Sequence, residues 1–251
     1  MSYGGSAAFT FGCARMLKPE PGAPALIDYE ADARRVFDVV AKGGTAIMPV
    51  TTGYALLGAS RDSVMGIFNN KRRAPTKVTA LCGSMEVFEA VQIVGPEQRR
   101  VIDAITRFFR LPLGVIAPVR LEHPLFDNVH EDILAQSRRD GTVLTLINGG
   151  ALADGVAHLS LKHRIAMFGS SANLSTKGTK FRLEDVEPEI RAMADIEIDY
   201  GPVLWNAYGK SSTIIDFRDY TVVRVGIAYE QIDHILRKHF SIALKQPAAA
   251  A

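Results

Sequence analysis

Two stretches decide how this chain is read: Pro49-Val50-Thr51-Thr52-Gly53-Tyr54-Ala55-Leu56 and Gly169-Ser170-Ser171-Ala172-Asn173-Leu174-Ser175. The first continues the apolar run Thr45–Val50, which is short and bounded by Gly43-Gly44, as a strand would be. The second follows another apolar run, Arg164–Phe168. Each reads as a strand end running into a loop of small hydroxyl and amide side chains. In open α/β sheets ligands bind beyond strand ends. Such loops place many donors near the backbone, which suits phosphate oxygens. About 20 residues after the first stretch come Lys71-Arg72-Arg73 and then Lys77, which supply counter-charge. Each charge-assisted hydrogen bond is worth about 1.5–3 kcal/mol. Taken singly, a Ser/Asn loop is more often a turn and a Lys-Arg-Arg run a solvated face.

Outward from these stretches, helical and strand patterns alternate. Val36, Phe37, Val39 and Val40 form one helix face, and Val64, Ile67 and Phe68 mark a short helix after Asp62. Lys77–Cys82 reads as a strand, with Ser84 placed to cap the next helix. Pro96 suits a helix start, and Val101, Ile102, Ile105, Phe108 and Phe109 stripe that helix. Leu113–Val119 and Thr142–Ile147 are apolar strands, Leu183–Ala194 is helical, and Ile196 and Ile198 alternate with acids as on a half-exposed strand. Ser212–Phe217 and Thr221–Val225 read as two late strands, and Ile232, Ile235, Leu236 and Phe240 stripe a final helix. Strands apolar throughout imply a sheet covered on both faces, so the class is α/β.

The chain has 251 residues, enough for one sizeable domain or two small ones. Residues 1–25, rich in Gly, Ala and Pro, read as an irregular arm, 26–242 as one domain and 243–251 as a tail. With 29 Lys+Arg against 27 Asp+Glu the net charge is only +2, which excludes a wholesale basic coat for nucleic acid but not a local patch. Two cysteines, Cys13 and Cys82, fit a reducing compartment, and a cytoplasmic location is expected. No apolar run approaches the roughly 18 residues of a membrane helix, and Met1–Leu17 lacks the pattern of a secretory signal.

Several motifs fail on context. Gly209-Lys210-Ser211 resembles the end of a phosphate loop, but the earlier glycine is Leu204 and a strand pattern follows instead of a helix. His158/His163 and His234/His239 are spaced by five, which does not align two ligands on a helix face. The run His123, Asp127, His130, Glu131, Asp132 offers oxygen ligands for Mg²⁺, or is simply a solvated loop and helix start. Gly169-Ser170-Ser171-Ala172 lacks the closing glycine of a nucleophile elbow.

In their order, these segments resemble the Sua5/YrdC/YciO family, over residues 30 to 230 or so. Pro49–Leu56 looks like its Pro-Thr-(Asp/Glu)-Thr-Val-Tyr-Gly-Leu motif, and Lys71-Arg72-Arg73 with Lys77 like its Lys-x-Arg and following Lys. Arg110–Gly114 looks like Pro-Gly-Pro-Leu-Thr, and Gly169–Ser175 like Ser-Thr-Ser-Ala-Asn-x-Ser. Ser211–Asp216 looks like Glu-Ser-Thr-Ile-Val-Asp, and Val223–Gly226 like Leu-Arg-Pro-Gly. The resemblance implies a twisted mixed sheet around a large positive cavity. It implies synthesis of L-threonylcarbamoyladenylate from threonine, bicarbonate and ATP, with Mg²⁺ on the triphosphate and pyrophosphate released, for modification of adenosine 37 in tRNA. By the same resemblance Lys71, Arg73, Ser170, Ser171, Asn173 and Arg224 would bind nucleotide, and Thr52, Tyr54, Lys77 and Ser212 would meet the other substrate.

The departures fall on the amino-acid side. Val50 and Thr51 replace the first Thr and the acid, Gly53 and Ala55 flank Tyr54, Gly114 replaces a Thr, and Ser211 replaces the Glu. The family's Val-Arg-x-Pro strand is here Val143-Leu144-Thr145-Leu146, with no Arg to clamp a carboxylate. Two further readings therefore stay open. One is a YrdC-fold transferase with a different acceptor. The other is a non-catalytic relative binding tRNA or double-stranded RNA through Lys71-Arg72-Arg73, Lys77, Arg99, Arg100, Arg107 and Arg110. In that case Arg99, Arg100, Arg107 and Arg110 would form a positive face; otherwise they merely solvate a helix.

Overall fold

Pro49–Leu56 is a β-hairpin instead of a strand end and loop. Strand β1 (Ala46–Val50) turns at Thr51-Thr52 into β2 (Gly53–Gly58), with Val50 opposite Gly53. Pro49, which cannot donate to a ladder, is tolerated because the outer neighbour of β1 pairs only with Ala46 and Ile47. The computed structural model describes residues 27–71, 78–175 and 177–246. The other strands are β3 (Ala80–Leu81), β4 (Leu113–Pro118), β5 (Arg138–Arg139), β6 (Thr142–Ile147), β7 (Phe168–Ser171), β8 (Ile196–Glu197), β9 (Ile214–Asp216) and β10 (Thr221–Arg224). They join in one sheet ordered β10-β9-β4-β6-β3-β7-β2-β1-β8, with β5 added beside β6. The pairs β1/β8, β3/β6 and β4/β9 are parallel and the rest antiparallel, so the sheet is mixed.

The helices are α1 (Tyr29–Ala41), α2 (Arg61–Asn70), α3 (Met85–Val91), α4 (Pro96–Asp103), α5 (Glu131–Ser137), α6 (Ala151–His163), α7 (Pro188–Arg191) and α8 (Tyr229–Phe240). Asp28, Ser60 and Ser84 cap α1, α2 and α3 by accepting from backbone N–H groups, and Pro96 opens α4. Helix α6 is unannounced in the sequence, where Gly149-Gly150 and Gly155 interrupt the pattern. Gly155 is there because α1 comes close: a Cβ at that position would stand 2.9 Å from the Cβ of Ala33.

Three expected elements differ. Arg164–Phe168 is not a strand: Arg164 ends α6 in the left-handed conformation (φ 57°), and β7 begins at Phe168. Leu183–Ala194 is no continuous helix but a 3-10 turn at Leu183–Asp185 followed by the four residues of α7, because Pro188 cannot donate and restarts the helix. Lys77–Cys82 reduces to β3, and Lys77 itself lies outside the described residues.

Directly opposed residues share a sheet face. One face therefore carries Met48, Ala55 and Ser171 in a row, Leu57, Gly169 and Ala80 in the next, and Leu146, Gly114 and Ile214 further along. The other carries Ile47, Tyr54, Leu56, Leu81, Thr145, Val115 and Ile215. That back face is buried on one side under α4, the π-helical turn Ala104–Phe108 after it, and α8, through Ile102, Ile105, Ile232 and Leu236, and under α2 and α7 on the other, through Ile67 and Ile190. On the front face, α1 and α6 cover Ala46, Met48 and Leu57 with Val36, Val40, Leu152 and Val156. Beyond α6 the front face is left open.

Candidate functional site

The open part of the front face is a cavity. Its floor is made of small residues, Gly53, Ala55, Ala80, Gly114 and Gly169, from the four strands β2, β3, β4 and β7. The space between its walls, counted out through the mouth into open solvent, is about 960 Å³.

One corner is polar. Thr52 sits in the hairpin turn, Ser211-Ser212 precede β9, and Arg224 ends β10. Ser212 Oγ donates to Thr52 Oγ1 at 3.0 Å, and both residues are buried. Arg224 Nε donates to the Ser212 carbonyl at 2.9 Å and Nη2 to Ser211 Oγ at 3.2 Å. Behind it, Ile227 N–H donates to the Ser211 carbonyl and Thr213 Oγ1 to the Ile227 carbonyl, each at 2.8 Å. Gly226 permits this approach: a Cβ there would stand 2.1 Å from the Ser211 oxygen. Arg224 is open to solvent at the mouth, while the neutral protein around its head group lowers its pKa to about 10 by desolvation. It is still a cation at neutral pH, and no carboxylate among the described residues lies within ion-pair distance of it.

The cavity face brings together Thr52, Ser171, Ser212 and Arg224 of the residues the sequence singles out. Tyr54 and Ser170 border it from strands whose alternation turns their side chains to the back. Tyr54 is 1% exposed, with its hydroxyl 2.8 Å from Asp199 Oδ1 and 2.9 Å from the Gly201 carbonyl. Burial first, and then the Asp199 carboxylate, hold its pKa above the usual phenol range. Tyr54 therefore packs and does not face a substrate. Lys71, also buried, donates from Nζ to Ser170 Oγ at 2.6 Å and to the Ser171 carbonyl, holding the end of β7 from behind. Asn173 donates from Nδ2 to the Leu174 carbonyl at 2.5 Å, and its buried Oδ1 has no hydrogen-bond partner. Arg73 and Lys77 lie outside the described residues.

Sequence reasoning missed the rest of the wall. Strand β6 presents Leu144 and Leu146 to the cavity, while Thr145 between them is fully buried on the back face with no partner for its hydroxyl. The period-two alternation carried that signal once the strand's face was known. Cys82 also lines the cavity; burial, and secondarily the charge of Asp154, push its thiol up to about 12. Asp154, in the first turn of α6, is itself pushed up to about 6 by burial.

Two charge groupings resolve differently. His130 and His123 cap α5 and a 3-10 turn by accepting from Asp132 N–H and Leu125 N–H, and no group of three potential metal ligands occurs among the described residues. Of the four arginines expected on one positive face, Arg99 and Arg107 are both ion-paired with Glu89 and Asp103.

A profile of the Sua5–YciO–YrdC family, described as telomere recombination, matches residues 38–226. Among solved structures, Sua5 of P. abyssi complexed with L-threonine superposes with a TM-score of 0.69 at 21% identity, over 90% of this chain and 61% of that one. A hypothetical protein from Streptococcus mutans gives 0.66 at 19% identity, over 86% and 94%, and E. coli YciO gives 0.62 at 20%, over 81% and 93%. These identities speak to the fold. The chain spans about three fifths of the P. abyssi protein's length. Comparison with curated proteins gives no match.

Proposed function

This chain belongs to the Sua5–YciO–YrdC family, and from that premise we propose that it is an ATP-dependent nucleotidyltransferase forming a carbamoyl-adenylate. Its substrates are ATP, bicarbonate and an amino acid. The family product is L-threonylcarbamoyladenylate, which serves tRNA adenosine 37. The observation that carries the proposal is Arg224, a cation with no carboxylate partner among the described residues, set beside the hydroxyls of Ser211, Ser212 and Thr52 at the end of an open cavity.

The chemistry asks for alignment and charge stabilisation, with no covalent nucleophile on the protein. A carbamate oxygen attacks the α-phosphorus of ATP. The bond from that phosphorus to the bridging oxygen breaks, and pyrophosphate leaves with the electron pair. Charge builds on phosphate oxygens, where Arg224 and the hydroxyl donors would act. Lys71 would serve indirectly, by fixing the Ser170-Ser171 backbone. The described cavity lining contains no carboxylate, so Mg²⁺ would arrive on the triphosphate as part of the substrate.

The test is incubation with ATP, Mg²⁺, labelled bicarbonate and threonine or other amino acids, with the adenylate sought by mass spectrometry and pyrophosphate followed in parallel. Absence of both ATP binding and pyrophosphate release with every amino acid tried would sink the proposal. The ion pairing of Arg99 and Arg107 weighs against the RNA-binding alternative.

A further inference from the structure

The polar corner occupies one part of the cavity; beside it the wall includes the apolar side chains of Met48, Val50, Leu144, Leu146 and Ala153, with Cys82. These come from β1, the residue after β3, strand β6 and helix α6. Arg224 is the single charged residue among the described residues of the lining. Leu144 and Leu146 are only half-buried, so their side chains stay open to a ligand. Thr145, the hydroxyl between them, is turned to the back of the sheet. Ser212 has already spent its donor on Thr52. A polar group seated on this wall would lose water and gain no partner, whereas an aliphatic group would gain contact.

Resting on the carbamoyl-adenylate reading, we propose that the acceptor is an amino acid with a branched aliphatic side chain. That side chain would lie on the Leu144–Leu146 wall, with the amine toward the Thr52 and Ser212 hydroxyl oxygens and Arg224 left to the phosphate. The amine nitrogen bonds to the bicarbonate carbon with loss of water, giving a carbamate. A carbamate oxygen then displaces pyrophosphate from ATP as above.

Valine and threonine form the deciding pair, because they are nearly isosteric and differ by a methyl for a hydroxyl. An apolar wall separates such a pair by up to ~10²-fold, while a site built to bind the hydroxyl rejects the methyl analogue by ~10⁴–10⁵-fold. The measurement is kcat/KM for pyrophosphate release with valine, isoleucine, leucine, threonine and serine, each with bicarbonate and saturating Mg·ATP. The expected result is valine or isoleucine above threonine by roughly 10–100-fold. Threonine equal or preferred, or ATP bound in calorimetry with no pyrophosphate from any aliphatic amino acid, overturns the inference while the adenylation reading is judged on its own. If ATP is not bound at all, the underlying reading fails first.

Leu144→Ala should move the preference from valine toward leucine by about tenfold, as expected for a methylene-scale change in an apolar pocket. Leu144→Met, close in volume, should fold and keep the valine preference even if the alanine variant does not fold. If Leu144→Ala instead weakens ATP binding and leaves the acceptor ratios unchanged, the adenine base covers this wall and the inference is wrong.

Discussion

Arg224 is the side chain on which anion binding at the cavity mouth turns. Its guanidinium spends two N–H groups on Ser212 and Ser211 and has no described counter-ion, so an anion at the cavity mouth would complete it. Arg224→Gln should weaken ATP binding by roughly 10–100-fold, the equivalent of one lost charge-assisted contact of about 1.5–3 kcal/mol. Arg224→Lys should recover little, since an ammonium cannot keep both fork contacts and reach a phosphate. Calorimetric titration of ATP into each variant checks this, and an unchanged Kd for Arg224→Gln removes the residue from the site. Cys82 gives a second handle. With its thiol pushed up to about 12, alkylation near pH 8 should run on the order of 10³-fold slower than for a free cysteine and accelerate as pH rises. Peptide mapping after timed iodoacetamide treatment separates it from Cys13, and rapid labelling at pH 8 would contradict the raised pKa of the half-buried thiol. The residue types at the site were readable from the motifs, but not the faces they occupy. Tyr54 and Thr52 are two positions apart in one stretch; strand alternation alone would put them on one face, but Thr52 lies in the turn and Gly53, at φ 147°, precedes the tyrosine that reaches Asp199.

Among the elements, the hydrogen-bonded contact between β10's end and the Ser211–Thr213 segment holds the polar corner together. Gly226→Ala would drive a Cβ to within 2.5 Å of both the Ser211 oxygen and the Ser212 carbonyl carbon. Backbone cannot step aside as a flexible side chain does, so the variant should lose about 1–3 kcal/mol and bind ATP more weakly. Urea unfolding and an ATP titration read the two effects, and wild-type values in both would show that the contact is not tight. The first turn of α6 makes a pH prediction. Asp154 holds its proton in the folded chain up to about pH 6 and, unfolded, only to about 3.8. The folded state thus binds more protons between those values, and this group's contribution to stability falls as pH rises through that window. Asp154→Asn should therefore stabilise the protein above pH 6, by under ~1 kcal/mol because the residue is open to solvent, which screens a carboxylate that the protein covers only in part, and have no benefit below about pH 4. Melting temperatures at pH 4 and 7.5 test the sign. Strands of five or six apolar residues, such as Thr142–Ile147, were legible to the residue. The hairpin was not, because Thr51-Thr52 lacks the Asn-Gly or Asp-Gly signal of tight turns. Nor was α6, whose glycine answers to α1 and not to its own periodicity.

For the molecule as a whole, ligand and salt responses follow from the charge layout. Mg·ATP at 100 times its Kd should add about 2.7 kcal/mol of stability, a rise in Tm of several degrees for a chain of this size; no shift at saturation would contradict nucleotide binding to the folded state. RNA binding, if any, should be weak and vanish by 200 mM salt, because Arg99 and Arg107 are already neutralised by Glu89 and Asp103. Tight binding in that salt, read by filter retention, would reopen the RNA alternative. The Thr52–Ser212 hydrogen bond spans 160 residues of chain, and Arg224 arrives later still. During synthesis the hairpin emerges long before the segment that completes its corner, by roughly 10–30 s at ~5–20 residues per second. On the proposed reading, nucleotide would have nothing to grip on the nascent chain until the last strands have docked, and acquisition of ATP affinity would be a clock for the final step of maturation.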